Sequence, residues 1–98
     1  MDDNQDFAYA VSDKSLRNIA ETAAKDIEGV GAVTKCSVSV KDGSVALRLG
    51  IRAVYGVNLH ELALTIQKRA AGAVQDMAAP KGLDISVTIE DLVLPPAD

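Results

Sequence analysis

Aromatic residues, cysteine and histidine are scarce in this 98-residue chain. Phe7, Tyr9 and Tyr55 are the only aromatic residues, and Cys36 and His60 are the only residues of their types. A single cysteine excludes an internal disulfide, which fits a reducing compartment, and one cysteine with one histidine falls short of the usual zinc ligand sets. We therefore expect an aliphatic core, no cofactor, no metal and no catalytic residue.

The chain also lacks a surplus of basic charge and any long apolar run. Ten Lys and Arg residues stand against fourteen Asp and Glu residues, which gives a net charge of −4. Nucleic-acid-binding domains normally carry a basic surplus, because phosphate neutralisation supplies much of their affinity. No stretch approaches the roughly 18 apolar residues of a membrane span, and the acidic start is unlike a secretory signal. These features predict a cytoplasmic, non-enzymatic protein that reaches a membrane only through a partner.

Apolar periodicity predicts the first half of the fold. Alternation over residues 7–11 indicates a short strand, and apolar residues at helical spacing follow it over residues 16–27. Gly29 and Gly31 are predicted to end this helix. Two strands with matching apolar faces then flank Asp42-Gly43, a dipeptide typical of a two-residue hairpin turn.

The second half of the chain is predicted to form a second helix followed by a last strand. Asn58 is the predicted helix cap, with Glu61 as its capping-box partner, and Pro80 and Gly82 are predicted to end the helix. Alternation over residues 83–90 indicates the last strand. We predict one α+β domain over residues 7–94 with the order β-α-β-β-α-β and flexible termini at 1–6 and 95–98. Its four-stranded, mainly antiparallel sheet would carry both helices on one face, as a two-layer sandwich.

Lys41, Arg48 and Arg52 share the predicted open face of the sheet and are the candidate partner-contact residues. Three interpretations of this face stay open: a solvated surface, a contact surface for a protein or a second copy, and a nucleic-acid interface. The face has no aromatic residue on which bases could stack, which makes a nucleic-acid partner the weaker alternative. Cys36 is interpreted as a core residue and His60 as an exposed residue near a helix start.

Four segments carry a likeness to a known family: residues 45–59 with their Tyr55-Gly56-Val57-Asn58 turn, the pair Ile66-Gln67, and residues 19–30 and 83–89. In these segments the chain resembles the alkaline shock protein family of bacterial envelope stress response proteins. The resemblance implies a non-enzymatic cytoplasmic stress protein that self-associates, acts as a scaffold or adaptor for protein partners, and in some members attaches to a membrane anchor protein.

Overall fold

The computed structural model describes residues 12–95, and the predicted strand over residues 7–11 lies outside them. Helix α1 spans Asp13–Lys25, strand β1 Val30–Lys41, strand β2 Ser44–Val54, helix α2 Leu59–Ala78 and strand β3 Gly82–Val93. The described part is therefore an α+β fold with two helices and a three-stranded sheet. Neither the fourth strand nor the full predicted order is confirmed.

Local sequence signals account for the ends of the helices and for the hairpin. The Ser12 side chain caps α1 by accepting from the Ser15 backbone N–H at 3.1 Å. The Asn58 side chain caps α2 by accepting from the Glu61 N–H at 3.0 Å. Such bonds satisfy backbone donors that the first helical turn leaves unpaired. Of the two glycines predicted to end α1, Gly29 lies in the following turn, whereas Gly31 lies inside β1.

Strand β2 is the middle strand of the sheet. It pairs with β1 antiparallel through the hairpin, whose Asp42 and Gly43 have φ of 52° and 81°. It pairs with β3 in parallel, so the prediction of a mainly antiparallel sheet is wrong for the described part. The physical reason is helix α2, which carries the chain back along the sheet so that β3 starts at the same end as β2.

Both helices pack on the same face of the sheet, as predicted. The largest fully buried side chains come from α1, β2 and α2: Leu16, Leu47, Leu49, Ile51, Ile66 and Val74. Cys36, Val38, Ile85 and Val87 of the outer strands pack against this core and are only partly buried. The two helices thus cover the middle strand completely and the outer strands incompletely.

Candidate interaction surface

The face of the sheet opposite the helices is formed by the side chains that alternate with the core residues. In β2 these are Ala46, Arg48, Gly50 and Arg52, and the strand register places their neighbours on β1 and β3 on the same side. We call this surface the open face. Its other members include Thr34, Lys35, Ser37, Ser39, Lys41, Asp84, Ser86, Thr88, Glu90 and Asp91.

The three predicted contact residues all lie on the open face and are exposed. Arg48 lies at the centre, between Ser37 on β1 and Ser86 on β3. Arg52 lies four residues further along β2, which is about 13 Å from Arg48 along the strand. Lys41 lies beside the hairpin turn, opposite Ser44, and is about the same distance from Arg48 in the other direction. The structure therefore spreads these cations along the face and does not gather them into one site.

Acidic residues, which the sequence analysis did not include among the contact residues, share this face. Asp84, Glu90 and Asp91 all belong to β3, and Asp91 lies in register with Arg52. The face thus has basic residues on β1 and β2 and acidic residues along β3. The alternation of each strand was visible in the sequence, but the adjacency of Arg52 and Asp91 depends on the parallel pairing of β2 with β3.

A side-chain bridge crosses the middle strand at Gly50. The Thr34 hydroxyl donates to Glu90 Oε1 at 2.7 Å, which joins β1 to β3 over the top of β2. Both residues lie at irregularities of the strand register, where one strand carries an extra residue. A Cβ atom on Gly50 would lie 2.7 Å from Glu90 Oε2 and 3.0 Å from Thr34 Oγ1. Glycine is therefore what leaves room for the bridge.

Shallow clefts run along the open face. One of about 430 Å³ lies at the hairpin end between Lys41 and Asp84, and one of about 350 Å³ lies beside Arg48. A smaller cleft of about 150 Å³ lies between Arg48 and Glu90. The floor of these clefts is made of small residues (Ser37, Ser39, Ala46, Gly50, Ser86). The face therefore offers several shallow clefts with charged residues at their rims.

A further cleft of about 450 Å³ lies on the helical side, where the end of α1 meets the start of α2. Its lining combines apolar Ile27 and Leu62 with acidic Glu28 and Glu61. Across residues 12–95, no group of three or more His, Cys, Asp or Glu residues could hold a metal ion. The acidic lining of this cleft does not converge on a metal position.

The two residues with intrinsic chemical reactivity do not form a site. Cys36 is half-buried, and its Sγ donates weakly to the Arg17 backbone oxygen at 3.7 Å. Burial raises the pKa of the Cys36 thiol above its ordinary value of 9.0, and Glu21 raises it further against the opposing effect of Arg17. His60 is exposed on the first turn of α2. A thiol with a raised pKa is a poor nucleophile at neutral pH.

No family model and no curated protein matches this chain. Solved structures do match its fold. A MamM variant superposes with a TM-score of 0.64 at 15% identity, over 83% of this chain and 100% of that chain. A MamM CTD variant in its manganese form superposes with a TM-score of 0.60 at 16% identity, over 79% of this chain and 98% of that chain. A variant in its zinc form superposes with a TM-score of 0.61 at 16% identity, over 80% of this chain and 86% of that chain.

These neighbours overturn the resemblance to the alkaline shock protein family. The chain has the fold of the MamM CTD, and the assignment to alkaline shock and envelope stress proteins was wrong. The physical reason lies in the turn that carried the likeness. Gly56 has a φ of 101° and Asn58 caps α2, which are local requirements of a tight strand-to-helix connection in many folds.

The helices add one negative observation. Neither α1 nor α2 is long and apolar enough to span a bilayer. What the chain shares with the solved MamM structures is the fold, at 15–16% sequence identity.

Proposed function

We propose that this domain works by association, binding a protein partner through its open face and binding copies of itself. The observation that carries the proposal is the open face itself, which has shallow clefts floored by small residues and exposed Arg48 at its centre. Arginine is enriched at protein contact sites because its planar guanidinium group makes several directed hydrogen bonds. A shallow surface with a charged rim suits another protein better than a small molecule.

A non-enzymatic role is part of this proposal. Cys36 is half-buried with a raised pKa, and His60 is exposed at the start of α2. These two residues belong to different elements, Cys36 to β1 and His60 to the first turn of α2. Acid–base or nucleophilic catalysis needs such groups within hydrogen-bonding distance of each other or of a bound substrate.

The charge distribution favours a protein over a nucleic acid on the open face. Lys35, Lys41, Arg48 and Arg52 would attract a phosphate backbone, but Asp84 towards one end of β3 and Glu90 and Asp91 towards the other would repel it. A protein partner can match both signs of charge at once. The proposed location is cytoplasmic, with any membrane attachment made through the partner.

The test compares two charge-reversal variants that differ only in the surface they alter. Arg48→Glu/Arg52→Glu changes the open face, and Lys14→Glu/Lys68→Glu makes the same change in net charge on exposed positions of the helices. Each protein is used as bait in lysate from its native cell, and captured proteins are quantified by mass spectrometry.

We expect partners captured by the wild type to be lost with Arg48→Glu/Arg52→Glu and retained with Lys14→Glu/Lys68→Glu. Capture of the same proteins by all three baits would contradict the proposed role of the open face. A mobility shift at low salt with RNA and with DNA tests the alternative: binding to either that weakens steeply with added salt would favour the nucleic-acid function.

A further inference from the structure

The two outer strands carry seven-residue segments of the same pattern and opposite charge. Residues 35–41 of β1 read KCSVSVK, and residues 84–90 of β3 read DISVTIE. Each segment has a charge at both ends, apolar residues at its second, fourth and sixth positions, and Ser or Thr between them. We call residues 35–41 the basic edge segment and residues 84–90 the acidic edge segment.

Both segments lie where a further strand could be added. Within residues 12–95, β1 and β3 are the outer strands of the sheet. An outer strand presents unpaired backbone N–H and C=O groups along its free side, and it can pair with a strand from another chain. The apolar residues of the segments are also incompletely covered: Ile85, Val87 and Ile89 are half-buried, and Val40 is 48% exposed. A neighbouring strand would bury more of this surface.

The segments match when they are paired antiparallel. If Lys35 of one copy lies opposite Glu90 of a second, Lys41 falls opposite Asp84 at the other end. Between these ends, apolar residues face apolar residues, with Val38 opposite Val87, and Ser or Thr residues face each other. Opposite charges and apolar pairs are the cross-strand combinations that stabilise antiparallel sheets.

The faces and directions of the strands also agree with this pairing. The four charged residues lie on the open face, and the apolar residues of both segments lie on the helical side. Within one copy β1 and β3 run in opposite directions, because β2 pairs antiparallel with the first and parallel with the second. A second copy in the same orientation therefore presents its β1 antiparallel to the β3 of the first, with both pairs of helices on one side.

Pairing of identical edges is disfavoured by charge. An antiparallel pair of two basic edge segments places Lys35 opposite Lys41 at both ends, and a pair of two acidic edge segments places Asp84 opposite Glu90. Like charges directly opposite each other destabilise a sheet. The charges therefore select pairing between unlike edges.

We infer that copies of this chain associate head to tail, with the basic edge segment of one copy added to the acidic edge segment of the next. Because the contact joins two different surfaces, it produces an open chain of copies or a closed ring. Gln67 already donates to the Ile85 backbone oxygen at 3.0 Å. A carbonyl oxygen has two lone pairs, so this contact leaves one for a neighbouring strand.

The test reverses the charge of each edge separately. Lys35→Glu/Lys41→Glu makes both edges acidic, and Asp84→Lys/Glu90→Lys makes both basic. Size exclusion with light scattering then measures the mass of each variant alone and of an equimolar mixture. Lys14→Glu/Lys68→Glu is the control for net charge. Thr34→Ala is the control for the hydrogen bond that Glu90→Lys removes. Circular dichroism establishes that each variant is folded.

We expect each edge variant alone to run at the monomer mass of 10.3 kDa and the mixture to recover the mass distribution of the wild type. The two controls should assemble like the wild type. Edge variants that keep the wild-type mass would overturn the inference. A constant monomer mass of 10.3 kDa for the wild type and all variants would overturn it too.

This inference rests on the self-association in the proposed function but uses the strand edges in place of the centre of the open face. The two can fail separately. If Arg48→Glu/Arg52→Glu abolishes partner capture while the edge variants assemble normally, only the head-to-tail contact is wrong. If the edge variants behave as expected and capture is unchanged by Arg48→Glu/Arg52→Glu, only the partner role of the open face is wrong.

Discussion

The bridge over Gly50 gives the sharpest prediction about the sheet. Replacing Gly50 with alanine places a Cβ atom 2.7 Å from Glu90 Oε2, closer than real Cβ contacts allow. The Glu90 side chain is exposed and can move away, so the backbone need not shift. Its movement breaks the 2.7 Å hydrogen bond from Thr34. Gly50→Ala therefore tests whether the bridge contributes to stability.

Two effects of similar size oppose each other in this variant. Loss of a hydrogen bond costs about 0.5–1.5 kcal/mol. Alanine in place of glycine within a strand gains about 0.5–1 kcal/mol, because the unfolded chain has less freedom to lose. The net change in the wild-type background is thus expected to lie within about 1 kcal/mol of zero. With Glu90→Ala already present, the hydrogen bond is absent and the one tight contact left to the new Cβ atom is Thr34 Oγ1 at 3.0 Å, which the exposed Thr34 side chain relieves by a small shift. Gly50→Ala should then stabilise the protein by up to about 0.5–1 kcal/mol.

The measurement is a double-mutant cycle. The free energy of unfolding of the wild type, Gly50→Ala, Glu90→Ala and the double variant is obtained from urea denaturation followed by far-UV circular dichroism. We expect a coupling energy of about 1 kcal/mol between the two positions. An equal effect of Gly50→Ala in both backgrounds would show that the bridge contributes nothing and that the reasoning is wrong.

Three further predictions concern stability and the thiol. Ile66→Ala should lower the free energy of unfolding, measured by urea denaturation, by about 2–5 kcal/mol, because Ile66 is fully buried. Leu64 is 42% exposed, and Leu64→Ala should lower it by less than about 1 kcal/mol. Equal losses would contradict the assignment of Ile66 to the core. Ala79→Gly should stabilise the protein by about 0.5–1 kcal/mol, because Ala79 ends α2 with a φ of 44°; a destabilised variant would refute this. Because the pKa of the Cys36 thiol is raised in the folded protein, the thiol of the unfolded chain ionises at lower pH, and the free energy of unfolding should fall as pH rises above 9.0. Cys36→Ser should remove that fall. The same pH dependence in Cys36→Ser and in the wild type would contradict this prediction.

Features that depend on neighbours in the chain are the ones that the sequence predicts best. The Asp42-Gly43 turn, the Asn58 cap and the apolar spacing of α1 are set by local backbone chemistry and helical periodicity, and the structure confirms all three. The common face of Lys41, Arg48 and Arg52 also follows from simple alternation. The placement of these residues could be predicted because a period of two in a strand, or of 3.6 in a helix, fixes which way a side chain points.

What the sequence could not provide depends on contacts between distant segments. The parallel pairing of β2 with β3 is decided by the path of α2 over the sheet. The register irregularities at Thr34 and Glu90 were hidden, because each residue continues an ordinary strand pattern. Their hydrogen bond joins residues 56 positions apart in the chain. Gly50 was the one available signal, since glycine inside a strand often marks a bulge or a close approach.

The family assignment failed for a related reason. Its most specific part was the turn at residues 55–58, and that turn meets a local requirement for linking a strand to a helix. A segment that many folds need carries little information about which fold surrounds it. The comparison of whole structures does not depend on that segment, and it leads to the MamM CTD fold.

The most direct test of the central claim is the mass in solution of the 98-residue chain. Size exclusion with light scattering, run from low to high micromolar concentration, measures it without any substitution. Association predicts a mass above 10.3 kDa that rises with protein concentration or holds at a multiple of that value. A mass of 10.3 kDa at every concentration would contradict self-association and, with it, the head-to-tail contact between the basic and acidic edge segments.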